Sequence, residues 1–301
     1  MNEPLRLAPR DLWLLALLTL AWGLNWPIMK IGVTELAPMS FRALNMVGGL
    51  PLLAFIARIR GVSLRVPPGE RGELFLLALT NMVIWIVLSI YALKLLSSGR
   101  AAILAYTMPV WAALIGIVLY GEHPSRRLWI GVGAAALGVV LLLGGEIGAI
   151  AGRPLGTLLM LLAAAIWGLG THLMRRRQTR VHILAITFWS LAIGLVVCGG
   201  LALAFERDSW TRTPGAGGWG AIVYNAVVVF GFAQLVWFRL VSILPPVMSG
   251  LSVMLIPVIG LFSGIVMLGE RPGWQDWIAL VVVLVAMASV LLPAGRTDAT
   301  R

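Results

Sequence analysis

Ten stretches of about twenty apolar residues, separated by short polar links, fill the chain from residue 11 to residue 293. No other feature restricts the fold as much. A helix rises about 1.5 Å per residue, so roughly 20 residues cross the hydrocarbon core of a bilayer. The stretches fall at about 11–32, 39–58, 73–95, 98–120, 126–145, 154–174, 181–204, 217–238, 245–268 and 274–293. A membrane β-barrel needs short segments in which apolar and polar residues alternate. These runs are long and continuously apolar, so they predict helices. A water-soluble core cannot hold them: 60% of the 301 residues are hydrophobic and 12% are charged, where soluble domains carry about 25% charged residues. The expectation is an all-α integral membrane protein with ten transmembrane helices.

Ten crossings put both termini on one side. With that side cytoplasmic, 15 of the 23 Lys and Arg residues lie inside and 8 outside, which is the expected bias. The run Arg175, Arg176, Arg177 and Arg180 is the strongest inside marker. The net charge of +11 sits in the links between apolar runs. It therefore implies topology and contact with anionic lipid heads rather than nucleic acid. Arg42, early in the second stretch, is expected to snorkel outward. Cys198 is the only cysteine, so neither a disulfide nor a metal cluster is expected. The first apolar run lacks a small-residue cleavage site and is read as a true span.

The chain repeats itself. Gly121, Glu122, Pro124 and Trp129 recur 148 residues later as Gly269, Glu270, Pro272 and Trp277. Trp22-Gly23-Leu24 recurs 145 residues later as Trp167-Gly168-Leu169. The extra residues of the second half are expected in the link 207–218. The chain thus divides at 1–146 and 147–301, with five helices in each half. Five is odd, so the second half must lie upside down relative to the first. Inverted repeats are the architecture of many transporters, with the substrate bound near the midplane between the halves. Each Glu of the repeated phrase ends a helix, where its charge opposes the helix dipole. It would gain most by turning to the amides that open the next helix.

A first helix with "WGLNWP" and a fourth with "YTMPVWAALIGIVLYGEHP", echoed by "VMLIPVIGLFSGIVMLGERP" in the ninth, resembles the EamA family of the drug/metabolite transporter superfamily. The resemblance covers nearly the whole chain. Within the family it looks most like the bacterial amino-acid exporters of the YddG type. It implies a multi-pass protein of the bacterial inner membrane. It further implies helices 1, 3, 4, 6, 8 and 9 around a central cavity, with helices 5 and 10 behind. Small multidrug exporters of the wider superfamily carry a glutamate in the first helix, and this first helix carries none.

Several side chains at mid-membrane depth are candidate substrate contacts. Trp22, Asn25, Trp26 and Met29 share one face of helix 1 by their spacing. Asn81, Trp85 and Ser89 share a face of helix 3, and Phe230, Gln234 and Trp237 a face of helix 8. Tyr106 and Met108 precede Pro109, Met254 precedes Pro257, and Trp167 lies deep in helix 6. Tryptophan ordinarily prefers the bilayer interface. Trp22, Trp85 and Trp167 lie roughly 15–20 Å into their helices, too deep for that belt. Trp13, Trp129, Trp210, Trp219, Trp274 and Trp277 fit it. Deep aromatics beside Asn, Gln and Tyr make up a small-molecule site; core packing is the competing reading.

Pro27, Pro109 and Pro257 are candidate hinges, because a helical proline leaves the carbonyl four residues back without its partner. Those carbonyls belong to Gly23, Ala105 and Val253. Kinks absorbed by neighbouring helices are the alternative. Ala112-x-x-x-Gly116 and Gly260-x-x-x-Gly264 predict close helix approach within the chain; homodimer packing competes, and a monomer is expected. His172 is the one candidate for handling protons near a midplane, although its angle from Trp167 can turn it away from the cavity.

The reading is a secondary active or facilitative transporter. It exports aromatic or neutral amino acids, or related small metabolites, by alternating access. Efflux of hydrophobic drugs or cations is the alternative, and it lacks a central carboxylate to hold a cation. An intramembrane enzyme is disfavoured by the lack of HExxH, of an intramembrane aspartate pair and of G-x-S-x-G, and ATP-driven pumping by the lack of a P-loop pattern; a membrane scaffold is the remaining fallback. No enzyme activity, cofactor or metal is expected.

Overall fold

The computed structural model describes residues 9–147, 154–211, 213–233, 236, 237, 240 and 246–291. All regular structure among them is helical. The helices are α1 Pro9–Glu35, α2 Pro38–Ile59, α3 Pro68–Leu95 and α4 Ser98–Tyr120, and α5 Arg126–Ile147. They continue with α6 Pro154–Arg175, α7 Ile183–Phe205, α8 Ala216–Ala233, α9 Pro246–Leu268 and α10 Trp274–Leu291. Among the described residues nine helices are long and apolar enough to cross a bilayer, and Ser252–Leu268 within α9 is a shorter apolar helix.

The outer surface suits lipid. Val118, Val196, Phe205 and Val266 are 75–83% exposed, an arrangement water would oppose. All six tryptophans expected at the interface are exposed, and Trp22, Trp85 and Trp167 are only half so. Arg42 does not snorkel: it is buried, 6% exposed. It lies on the face of α2 turned to the bundle, where its guanidinium meets Asn225.

The helices pack in matched pairs. When helix n is exchanged with helix n+5, the largest contacts have counterparts. α1 packs on α9 as α6 packs on α4, α3 on α6 as α8 on α1, and α2 on α8 as α7 on α3. α2 with α7 and α5 with α10 are their own counterparts. Glycines of the repeated Trp-Gly-Leu phrase make the first of these contacts close. A Cβ on Gly23 would lie 2.4 Å from Ile259 Cγ2, and one on Gly168 would lie 2.7 Å from the backbone nitrogen of Ala112. Backbone cannot retreat as a side-chain tip can. Gly168→Ala is therefore expected to cost about 1–3 kcal/mol, as overpacking does, read as a lower melting temperature. Gly133→Ala, where a Cβ meets nothing within 4 Å, should leave melting unchanged.

The twice-written Gly-Glu phrase is a helix stop. Gly121 and Gly269 adopt φ of +66° and +65°, a region glycine enters without strain. Gly121 N donates to Ile117 O at 3.1 Å and Glu122 N to Gly116 O at 3.0 Å. Gly269 N donates to Ile265 O at 3.1 Å and Glu270 N to Gly264 O at 3.3 Å. Both ends thus close with the same two bonds. The glycine that ends each small-x-x-x-small pair serves this end: a Cβ on Gly116 or Gly264 would lie 2.4 or 2.5 Å from the following carboxylate.

Neither glutamate turns to the helix that follows it. Glu270 crosses to the opening of α4, accepting from Ser98 N at 2.6 Å, Gly99 N at 3.2 Å and Ser98 Oγ at 3.0 Å. Glu122 turns to α6, where Arg176 Nη2 donates to it at 3.2 Å. Other acids make the same kind of tie between distant segments. Glu206, after α7, accepts from Met39 N at 3.0 Å and Ser40 N at 2.8 Å at the opening of α2. Glu35, ending α1, accepts from Gly215 N at 2.8 Å just before α8. A helix start offers unpaired amides and a positive dipole end, which explains why acids near helix ends settle there. Lys30 makes the converse tie, donating to the last carbonyls of α3, Leu93 at 2.8 Å, Lys94 at 3.1 Å and Leu96 at 2.7 Å.

Candidate functional site

Two tryptophan pairs hold the middle of the bundle. Trp22 of α1 meets Trp237, beyond α8, with ring centroids 5.3 Å apart and planes at 57°. Trp85 of α3 meets Trp167 of α6 at 5.2 Å and 61°. Each pair joins the first helix of one half to the third-helix region of the other. These tilted, edge-on geometries are favoured because the positive ring edge faces a negative ring face. All four side chains are only half-buried although each packs on another helix.

The third helix of each half is widened beside its pair. α3 contains a π turn at Leu79–Val83 and α8 a π segment at Tyr224–Ala233. A π turn shifts bonding to the fifth residue back, as Ile84 N to Leu79 O shows, and such turns concentrate at functional sites. An asparagine sits in each. Asn81 Nδ2 donates to Leu77 O at 3.1 Å, and Asn225 Nδ2 donates to Ala221 O at 3.1 Å. Both amides thus return to the carbonyl four residues back. These asparagines stand 225 − 81 = 144 apart, and the Gly-Glu phrases 148 apart. Asn225 was not among the sequence candidates, and its offset from Asn81 was the signal that could have found it.

The other candidates divide by burial. Asn25, Met108 and Met254 are half-buried, and Asn25 Oδ1 has no partner among the described residues. Trp26 and Tyr106 are buried, 6% and 8% exposed, and Trp26 lies against Gly260 of α9. Gln234 lies outside the described residues. Asn81 packs on Gly170 of α6, where a Cβ would lie 2.8 Å from its side chain.

Of the three prolines, Pro109 interrupts its helix. α4 runs as Ser98–Ala105 and Met108–Tyr120, and Thr107 Oγ1 donates to Leu104 O at 2.7 Å in the gap. α1 and α9 remain helical through Pro27 and Pro257. His172 is buried between α6 and α4. Its Nε2 lies 2.7 Å from Ala112 O, its Nδ1 lies 4.0 Å from Glu122, and its ring stacks on Tyr120. It serves a helix contact at the end of α4. Among the described residues no group of acids, histidines or cysteines could hold a metal.

Paired halves, a lipid-suited surface and aromatic pairs bridging the halves define a multi-pass α-helical membrane protein of the transporter class. The chain belongs to the EamA-like transporter family, whose profile matches twice, over residues 10–144 and 154–292. It is similar to the uncharacterized transporter YoaV of Bacillus subtilis, 25% identical over 84% of this chain and 87% of that one. It is also similar to the uncharacterized inner membrane transporter YedA of Escherichia coli K12, 26% identical over 92% of this chain and 90% of that one. A solved crystal structure shares the fold, with a TM-score of 0.67 and 21% identity over 95% of this chain and 99% of that one.

Proposed function

We propose that this protein carries aromatic or neutral amino acids, or related small metabolites, outward across the bacterial inner membrane by alternating access. In this reading ten helices cross the membrane with both termini cytoplasmic, and the second half is inverted relative to the first. The carrying observation is the pair of cross-half tryptophan contacts, Trp22–Trp237 and Trp85–Trp167. Their side chains are only half-buried at a depth along the helices where lipid-facing tryptophan is disfavoured. Trp22, Trp85, Trp167, Trp237, Met108 and Met254 would hold an apolar side chain. Asn25 and Asn81, with Gln234 by sequence, would take the amino and carboxylate groups. Trp26 and Tyr106 would shape the wall behind them.

The test is flux of labelled amino acids into proteoliposomes, with and without an imposed pH gradient. Rates equal to those of empty vesicles across the panel sink the substrate assignment. A gradient effect would mark proton coupling, for which His172 is the candidate. Pro109 is the hinge this reading uses, with Pro27 and Pro257 in supporting places. Pro109→Ala gives Ala105 O a partner again and removes the reason for the break in α4. It is expected to slow turnover several-fold with half-saturation unchanged, and unchanged flux removes the hinge.

A further inference from the structure

Arg42 is a buried charge that the bundle leaves unanswered. It lies four residues after Pro38, about 6 Å into α2 at the usual rise, on the face packed against α7 and α8. Among the described residues its one hydrogen bond is a long one, Nη1 to Asn225 Oδ1 at 3.4 Å. Its Nε has no partner among the described residues, and no described carboxylate forms a salt bridge with it. Glu206 approaches the same region, but both its oxygens are taken by the amides opening α2. One turn on, Asn45 is fully buried, and neither its Oδ1 nor its Nδ2 finds a partner among the described residues. Residues three apart share a helix face, so Arg42 and Asn45 lie on the same side of α2.

A structural cation looks different here. Lys30 spends its ammonium on three carbonyls between 2.7 and 3.1 Å. An unpaired charge taken out of water costs several kcal/mol, and a guanidinium keeps its charge. Its planar fork of donors fits a carboxylate or another small anion. We propose that α2, α7 and α8 hold a lateral site for a small anionic group. Arg42 supplies the charge, Asn45 an amide donor, and Asn225 orients the guanidinium from the π segment of α8. The group is either the carboxylate of the cargo or a free inorganic anion. The first form rests on the transport reading above; the anion site does not.

The full-length protein in detergent is melted in gluconate buffer with added chloride, L-phenylalanine or L-phenylalaninamide. Wild type is expected to melt higher with chloride or with L-phenylalanine. Arg42→Gln should need about ten-fold more of either, as loss of a charge-assisted contact implies. A response to chloride alone assigns the site to a free anion. A response to L-phenylalanine alone, lost in the amide, assigns it to the cargo carboxylate. An amide as effective as the acid overturns the carboxylate form. Wild type that responds to neither anion, or Arg42→Gln that responds as wild type does, overturns the site. Asn45→Leu covers the case in which Arg42→Gln fails to fold. It should melt higher without ligand, having lost two orphaned atoms, and lose the anion response; a full response overturns the proposal. Liposomes that carry no amino acid would defeat the transport reading and leave the chloride result standing.

Discussion

Trp167→Ala is expected to lower transport about ten-fold, the rate equivalent of roughly 1.4 kcal/mol, with membrane abundance nearly unchanged. The reason lies in its position rather than its size. Trp167 meets Trp85 edge-on at 5.2 Å across two helices of different halves, and it remains only half-buried. A residue that only filled the core would be covered, and its loss would remove protein and transport together. Trp85→Ala should give a similar loss. The double variant should be little worse than either single one, because two side chains acting as one contact are not additive. Trp274→Ala is the control: the side chain is 62% exposed and belongs to the interface belt, so transport should hold. Parallel falls in flux and abundance for Trp167→Ala would make it a packing residue.

Much of this arrangement could be read from the chain, for physical reasons. Twenty apolar residues have one solution in a bilayer, so the helices and the lipid-facing surface followed from length and composition. Depth along a helix sorted the tryptophans, because an indole belongs at the interface unless something inside holds it. The repeated phrases disclosed the two halves. What did not follow was partner choice. Glu270 bonds to Ser98, 172 residues away, and no local rule selects that helix start over the adjacent one. Arg42 was misread for the same reason. Snorkelling is the default for an arginine near a helix end, and only the packing of α2 on α7 and α8 turns it inward. The π turns were equally hidden, since no residue type demands one. They become legible only when Asn81 and Asn225 are seen to make the same bond.

Glu270→Ala is expected to be strongly destabilising, by about 2–4 kcal/mol. The carboxylate accepts from Ser98 N, Gly99 N and Ser98 Oγ, and hydrogen bonds to a charged group contribute about 1.5–3 kcal/mol each, with incomplete additivity. Removing it takes the acceptor away from the amides that open α4. Beside it Arg100 Nε meets Asp276 at 2.6 Å, with Asp276 only 4% exposed, so α9, α10 and the start of α4 are held as one unit. Glu270→Gln keeps one acceptor oxygen and should lose about half as much. Gly264→Ala should approach the alanine variant, because its Cβ would lie 2.5 Å from both the Glu270 carboxylate and Ser98 Oγ. Glu122 occupies the same place in the other copy of the phrase, yet its pairing with Arg176 leaves both side chains about half-exposed, 45% and 50%. An exposed pair contributes about 0–1 kcal/mol, so Glu122→Ala should barely move the melting temperature. Equal effects at the two glutamates would mean that the shared helix stop, rather than the cross-half bond to α4, sets their contribution. Unequal effects in the expected direction would show one local structure placed in two environments, a fixed tie at one helix start and an exposed contact at the other.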